Sequence, residues 1–241
     1  MVAWPPGRRW DTGVKRSQVN AILEAAAGFI AAHGVRLPPF AWWSPATFHA
    51  RRDAAGRVIE ARLGWDVTDY GQGDFERLGL VLFTLRNGRL ADLRAGGGMC
   101  YAEKLLISRQ DQLSPMHRHI VKAEDIINRG GATLAVELFG SDDAGGFAGD
   151  RGGTVLCDGI VRDFAPGEVL RLAPGESVTL MPGDWHAFWG EGGDVLVGEV
   201  STVNDDETDN VFREPLGRFA EIEEDAAPLH LLVSDYRRWL G

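Results

Sequence analysis

His117-Arg118-His119-Ile120-Val121-Lys122-Ala123-Glu124 (HRHIVKAE, residues 117–124) is the stretch on which the reading of this chain turns. Side chains two apart on an extended strand point to the same side, so the rings of His117 and His119 share a face. Glu124, five residues on, returns to that face after a bend. A distant fourth donor, His186, closes the set. Imidazole and carboxylate together suit a first-row divalent ion with coordination positions left open for water or substrate. A lone histidine would more often be a hydrogen-bonded structural residue, but three donors in one short strand–turn segment weaken that alternative.

Outward from this segment the pattern is one of short strands with Gly, Pro and Asp turns. Strands are expected at 78–86, 104–109, 132–140, 154–164, 169–174, 177–182 and 194–202, and Asn87-Gly88 is the strongest short hairpin signal. Spacing of this kind points to an antiparallel barrel or sandwich. One helix is expected from Ser17, a candidate N-cap, to Gly34, with Ile22, Ala26, Phe29 and Ile30 at helical spacing. Ser44-Pro45-Ala46 predicts a short helical turn. The simplest organisation is one domain over 1–241: an N-terminal arm and helix (1–46), barrel strands with the metal site (78–202), and a C-terminal segment covering the barrel (203–241).

Bulk composition narrows the partners. At 241 residues and 44% hydrophobic the chain can bury a substantial core. A formal net charge of −10 repels phosphate, which argues against nucleic acid or an anionic membrane. The expected partner is a small neutral or weakly charged molecule. Only Cys100 and Cys157 occur, in no metal or redox spacing, and no apolar run approaches a signal peptide or membrane span. A cytoplasmic location is the expectation.

The residues around the ligands resemble the cupin superfamily. Its first motif corresponds to His117, His119, Glu124 and Gly131, and its second to Gly175, Pro182, Gly183 and His186. Pro182 sits one position closer to Gly183 than usual, and Gly190 stands where an asparagine often follows the last histidine; these departures touch the turn and not the ligands. The fold this implies is mainly β, a cupin double-stranded β-helix or jelly-roll barrel with an N-terminal helix.

A closer likeness lies in the intervening residues. HRHIVKAEDIINRGGATLAVEL (117–138) is similar to the metal-site segment of bacterial D-lyxose isomerases, which are sugar ketol-isomerases. The likeness extends over 36–45, 63–88, 101–107, 170–189 and 197–225, leaving out the first dozen residues and the loop near 140–153. It implies interconversion of D-lyxose and D-xylulose with a side activity on D-mannose and D-fructose. Mn²⁺ is the implied ion, with Co²⁺ as a substitute, and a homodimer joined through sheet edges is expected.

Such chemistry moves a hydrogen between C1 and C2 of an open-chain sugar, so it calls for a metal to polarise the carbonyl and for acid–base groups. Lys122 lies between two ligands, and a neighbouring cation would lower its pKa toward the range useful for proton transfer. On an undistorted strand its parity is wrong and it would point outward; the resemblance, in which this lysine is taken as catalytic, favours the inward reading. The resemblance also implies a glutamate partner from the C-terminal region, with Glu214 preferred over Glu221 and Glu199. Arg218, Asp205, Glu199 and Trp185 are candidate substrate-binding residues. Glu137, in the apolar run LAVELF, should not be buried unpaired. Two rival readings use the same four ligands: an Fe²⁺ dioxygenase, and a non-catalytic sugar-binding cupin.

Overall fold

The computed structural model describes residues 13–205 and 208–240. The first dozen residues of the expected arm lie outside that range. The helix α1 (Arg16–Ala32) forms where the apolar spacing predicts it, burying Val19, Ile22, Leu23, Ala26 and Ile30 on one face. Gly34 ends it at φ +76°, a conformation that favours glycine. Its start differs from expectation. Ser17 is already helical and its hydroxyl donates to Asp225, because Arg16, one residue earlier, is pinned by Glu224 and Asp235. Ser44 caps the short helix Pro45–Ala50, accepting from the Thr47 N–H.

A short parallel pair, β1 (Val14–Lys15) with β13 (Ile222–Glu223), joins the two ends of the chain. All other strands belong to one eleven-stranded sheet: β2 (Gly64–Thr68), β3 (Leu80–Arg86), β4 (Tyr101–Ser108), β5 (Ser114–His119), β6 (Glu124–Phe139), β7 (Gly153–Cys157), β8 (Ile160–Phe164), β9 (Glu168–Leu172), β10 (Ser177–Leu180), β11 (Trp185–Thr202) and β12 (Asn210–Phe212). Two expectations change here. Asn87-Gly88 does not turn a tight hairpin: a helix (Leu90–Arg94) intervenes before β4, and the Asn87 amide instead fastens the backbone of Asn204. The stretch 154–164 is two strands, turned at Asp158-Gly159 with both residues at positive φ.

The two longest strands, β6 and β11, build the cavity. They pair antiparallel along nearly their whole length, but the register breaks between Glu191 and Val195 and again between Leu196 and Val197, on either side of the pairs Val195–Gly131 and Leu196–Gly130. A Cβ at Gly131 would lie 2.2 Å from the Asp194 carbonyl oxygen, so only glycine permits that approach. On one side of the break β6 pairs with β10, on the other with β9, while β11 pairs with β5 at one end and β4 at the other. The ribbon thus serves two layers, with Leu134, Val136, Leu138, Leu170, Phe188, Val195 and Val197 packed between them. A second core seats α1 and Trp65 against Phe83, Leu105, Ile107 and Leu196 on the other face.

Candidate active site

The histidines meet as the strand geometry requires. β5 carries His117 and His119 on one face, and β11 sets His186 opposite His117. One ring nitrogen from each of the three lies within 4.8 Å of the others, and all three residues are buried. Glu124, first residue of β6, places Oε1 3.1 Å from His119 Nε2 and 3.2 Å from His186 Nε2.

Hydrogen bonds behind the rings fix which nitrogen faces the cluster. His117 Nδ1 lies 2.7 Å from the Pro115 carbonyl and His186 Nδ1 3.1 Å from the Asp184 carbonyl. A carbonyl only accepts, so each Nδ1 carries the proton and each Nε2 presents a lone pair. Burial, then the neighbouring His186 and His119 rings, holds His117 well below the usual imidazole range; burial and the Lys122 cation lower His119. His119 Nδ1 and Nε2, His186 Nε2 and Glu124 Oε1 are buried without a hydrogen bond among the described residues. Unsatisfied buried groups each cost about 1–3 kcal/mol, and lone pairs facing a carboxylate oxygen at this range repel. A divalent cation between them removes both penalties. The donor set fits such an ion.

Beside the donors stands a chain of buried ions. Lys122 Nζ lies 2.6 Å from Glu124 Oε2 and 2.9 Å from Glu199 Oε1, and Lys104 Nζ is 3.3 Å from the same Glu199 oxygen. The bend at 120–123 turns Lys122 inward, so the outward pointing of a regular strand does not apply. Burial alone would lower Lys122, but the carboxylates of Glu124 and Glu199 outweigh it and hold the ammonium above its ordinary range. For Glu199 burial works upward, while Lys104 and Lys122 prevail and keep it below the usual carboxylate range. Glu124 is likewise held well below that range, chiefly by Lys122.

All of these groups line one cleft. Its other walls are apolar, from Tyr70, Leu80, Leu82, Leu106, Phe188 and Phe212, with Asn210 and Arg218 at polar positions. Arg218 is also paired with the buried Asp66 at 2.9 Å.

Three expected site residues, Glu214, Trp185 and Asp205, are not brought here. The Glu214 side chain is 74% exposed and its ion-pair contact is Arg213 at 3.6 Å, so the expected Lys122–Glu214 pairing is replaced by Lys122–Glu199. Trp185 is buried against Phe147 and Arg118 and does not line the cleft, because it alternates with His186 along β11. Asp205 lies in a neighbouring polar cleft with Asn87 and Asn204, and Glu221 is exposed. Glu137 is half-buried, outside the cleft. Lys104 and Asn210 escaped the sequence reading. A lysine inside the apolar run AEKLLI was a signal of the kind recognised at Glu137.

The family model for D-lyxose isomerase matches residues 14–236. The chain belongs to the D-lyxose isomerase family. It is therefore an enzyme of the aldose–ketose isomerase class. A D-lyxose/D-mannose isomerase of Serratia proteamaculans is 50% identical over 231 residues, covering 95% of this chain and 100% of that protein. One from Escherichia coli O157:H7 is 47% identical over 233 residues, with 94% and 100% covered. In fold the enzyme is similar to an L-ribose isomerase of Acinetobacter sp. DL28 solved in complex with L-ribose. That match has TM-score 0.61 and 14% identity and spans 90% of this chain and 100% of the other. An L-ribose isomerase of Cellulomonas parahominis with L-psicose matches at TM-score 0.55 and 19% identity over 90% and 100%. The expected cupin-type, mainly β architecture stands.

Proposed function

We propose that this enzyme interconverts D-lyxose and D-xylulose, and D-mannose and D-fructose, using a divalent ion held by His117, His119, His186 and Glu124. Mn²⁺ is the proposed ion, with Co²⁺ a substitute, since mixed imidazole and carboxylate donors suit either. One observation carries the reading: unpartnered donor atoms and a buried Lys122–Glu199 pair open onto the same cleft. The names of the relatives support the choice of sugars.

When bound, the ion supplies Lewis-acid polarisation of the sugar carbonyl. The protein's own groups do the rest. Glu199, kept ionised by Lys104 and Lys122, takes the proton from C2; the C–H electrons form the C1–C2 double bond as O1 gains a proton, giving an enediol. Lys122, kept as an ammonium, donates to the oxygen that gathers charge. Glu199 then returns its proton to C1 while the Lys122 amine, which gave its proton to O1, takes the O2–H proton as the C2 carbonyl forms, restoring the ammonium. Asn210 Oδ1, buried and without a hydrogen bond, is placed to accept from a sugar hydroxyl. The apolar wall keeps water from the reacting carbons.

A dioxygenase would leave the Lys122–Glu199 pair without a task, and a sugar-binding protein would not need it. Further parts of the proposal are a cytoplasmic location, consistent with the free Cys100 and Cys157, and a homodimer. Pairing through the β8 edge would cover Ile160 and Val161, which are 72% and 68% exposed. No helix among the described residues is long and apolar enough to cross a membrane.

The test is a panel of pentoses and hexoses incubated in D₂O with chelated and Mn²⁺-reloaded protein, under anaerobic conditions. D-lyxose and D-mannose should convert only with the reloaded protein, and the product should carry solvent deuterium. Failure to convert either sugar sinks the proposal. Solvent label establishes proton transfer; conversion without label fits either a hydride shift or unexchanged transfer on Glu199, and full turnover by Glu199→Gln would then sink the proton-transfer route.

A further inference from the structure

The bend between β5 and β6 has a structural cost that one side chain meets. Three consecutive backbone N–H groups, of Ile120, Val121 and Lys122, turn toward the acidic segment that precedes β12. Asp209 receives them all: Oδ1 accepts from Ile120 at 3.1 Å and Val121 at 2.7 Å, and Oδ2 from Lys122 at 3.0 Å. The carboxylate is buried, and the next residue, Asn210, stands opposite His119 in the strand register.

A second observation gives this carboxylate a task beyond the bend. The rings of His117 and His186 each have a backbone carbonyl behind Nδ1, whereas His119 has no such partner. The group behind its Nδ1 is Asp209 Oδ2, at 3.7 Å. That is too long for a hydrogen bond, but within a small ring rotation of one. An imidazole that donates to a carboxylate is fixed in tautomer and orientation and becomes a stronger metal ligand.

We propose that Asp209 is a positioning residue for both halves of the chemistry: it orients the His119 imidazole toward the metal and, through the bend, sets the inward placement of Lys122. This rests on reading the histidine–glutamate cluster as a metal site. Within that reading it adds a dependence of metal affinity on a segment that looks, in sequence, like a solvated acidic loop.

The test is Mn²⁺ binding to full-length protein without sugar, followed by the electron paramagnetic signal of the free ion. Asp209→Asn keeps the shape but replaces one acceptor oxygen with an NH₂ group, and should weaken Mn²⁺ binding about 10–100-fold. At saturating Mn²⁺ its kcat should also fall, with KM for sugar changed less. Thr208→Val alters the same segment without touching the bend, and should bind Mn²⁺ as the parent does. Asp209→Asn within twofold of the parent, or both variants weakened alike, overturns the inference.

If Asp209→Asn does not fold, the unmutated protein loaded with Co²⁺ still decides. Its proton spectrum should show three shifted, slowly exchanging imidazole N–H signals, one for each ligand histidine. A His119 N–H that exchanges at the solvent rate overturns the proposal. Parent protein that binds neither ion defeats the metal-site reading itself, and this inference falls with it.

Discussion

Two buried ion networks occupy this chain, and they differ in what is left over. At the junction of the two chain ends, Arg16, fully buried, makes paired contacts of 2.8–2.9 Å to both Glu224 and Asp235. In the cleft, Lys122 holds Glu124 at 2.6 Å and Glu199 at 2.9 Å, with Lys104 at 3.3 Å from Glu199. Buried ions with perturbed ionisation occur in both, although Glu224 is partly exposed. Yet no side-chain atom of Arg16, Glu224 or Asp235 is among the buried atoms lacking a hydrogen bond, whereas the cleft leaves His119, His186 and Glu124 with unpartnered donor atoms. Charge burial alone therefore does not mark a site. Leftover valence facing a cleft does.

The comparison breaks most sharply at Glu199. Glu199→Gln keeps the shape and removes the base, so kcat should fall by about 10²–10⁴-fold, the usual worth of a positioned proton-transfer group. Bound Mn²⁺, measured on the purified variant, should stay stoichiometric because no ligand has changed. A variant with near-parental kcat would show that the cleft network, like that of Arg16, is only structural.

How far each network could be read from sequence follows from the same contrast. His117, His119 and Glu124 were legible because strand periodicity and one bend place them, and His186 because its turn resembles a known motif. Glu199 was not. It lies thirteen residues after His186, which on a regular strand puts it on the opposite face; the register break in β11 resets the alternation, so that His186 and Phe188 before it and Glu199 after it all reach the cleft, with Val195 and Val197 in the core on the same side as Glu199. Bulge positions depend on pairing with a distant strand and leave little local trace. Glu214 was preferred because it lies in the right region, and region does not fix side-chain direction. The fold class was legible because many strands vote for it. The Arg16 network joins residues more than 200 apart and gave no local signal.

That second network should report on stability and not on turnover. Arg16→Met leaves Asp235 buried without its cation, while Glu224 keeps the exposed Arg238, at a cost of about 3–5 kcal/mol. For a chain of this size that lowers Tm by about 10 °C or more. kcat per folded molecule should match the parent, and a large loss of kcat at full Tm would break the distinction drawn above. The pH dependence has a definite sign. Hydrogen bonding to Arg16 holds the folded Glu224 carboxyl below its ordinary value near 4.5. This stabilisation is fully present above that value and is lost as pH falls through the depressed one. The Tm gap between parent and variant should therefore narrow below about pH 4.5.

The smallest expected effect belongs to Glu214, the residue that sequence and resemblance favoured. Its carboxylate stands in solvent beside Arg213, an exposed pair of the sort that contributes little. Glu214→Gln should leave Tm within about a degree and kcat within about twofold, since surface changes away from special features fall inside ±0.5 kcal/mol. Catalytic contacts can tighten only when substrate arrives, so the informative measurement is kcat and KM under saturating sugar and metal. A tenfold or larger fall in kcat with bound Mn²⁺ unchanged would mean that the segment after β12 swings Glu214 over the cleft once sugar is bound. Glu199 would then share proton transfer with a mobile partner. An unchanged kcat would instead assign the acid–base work to residues that the two bent strands and the β5–β6 bend already hold in place.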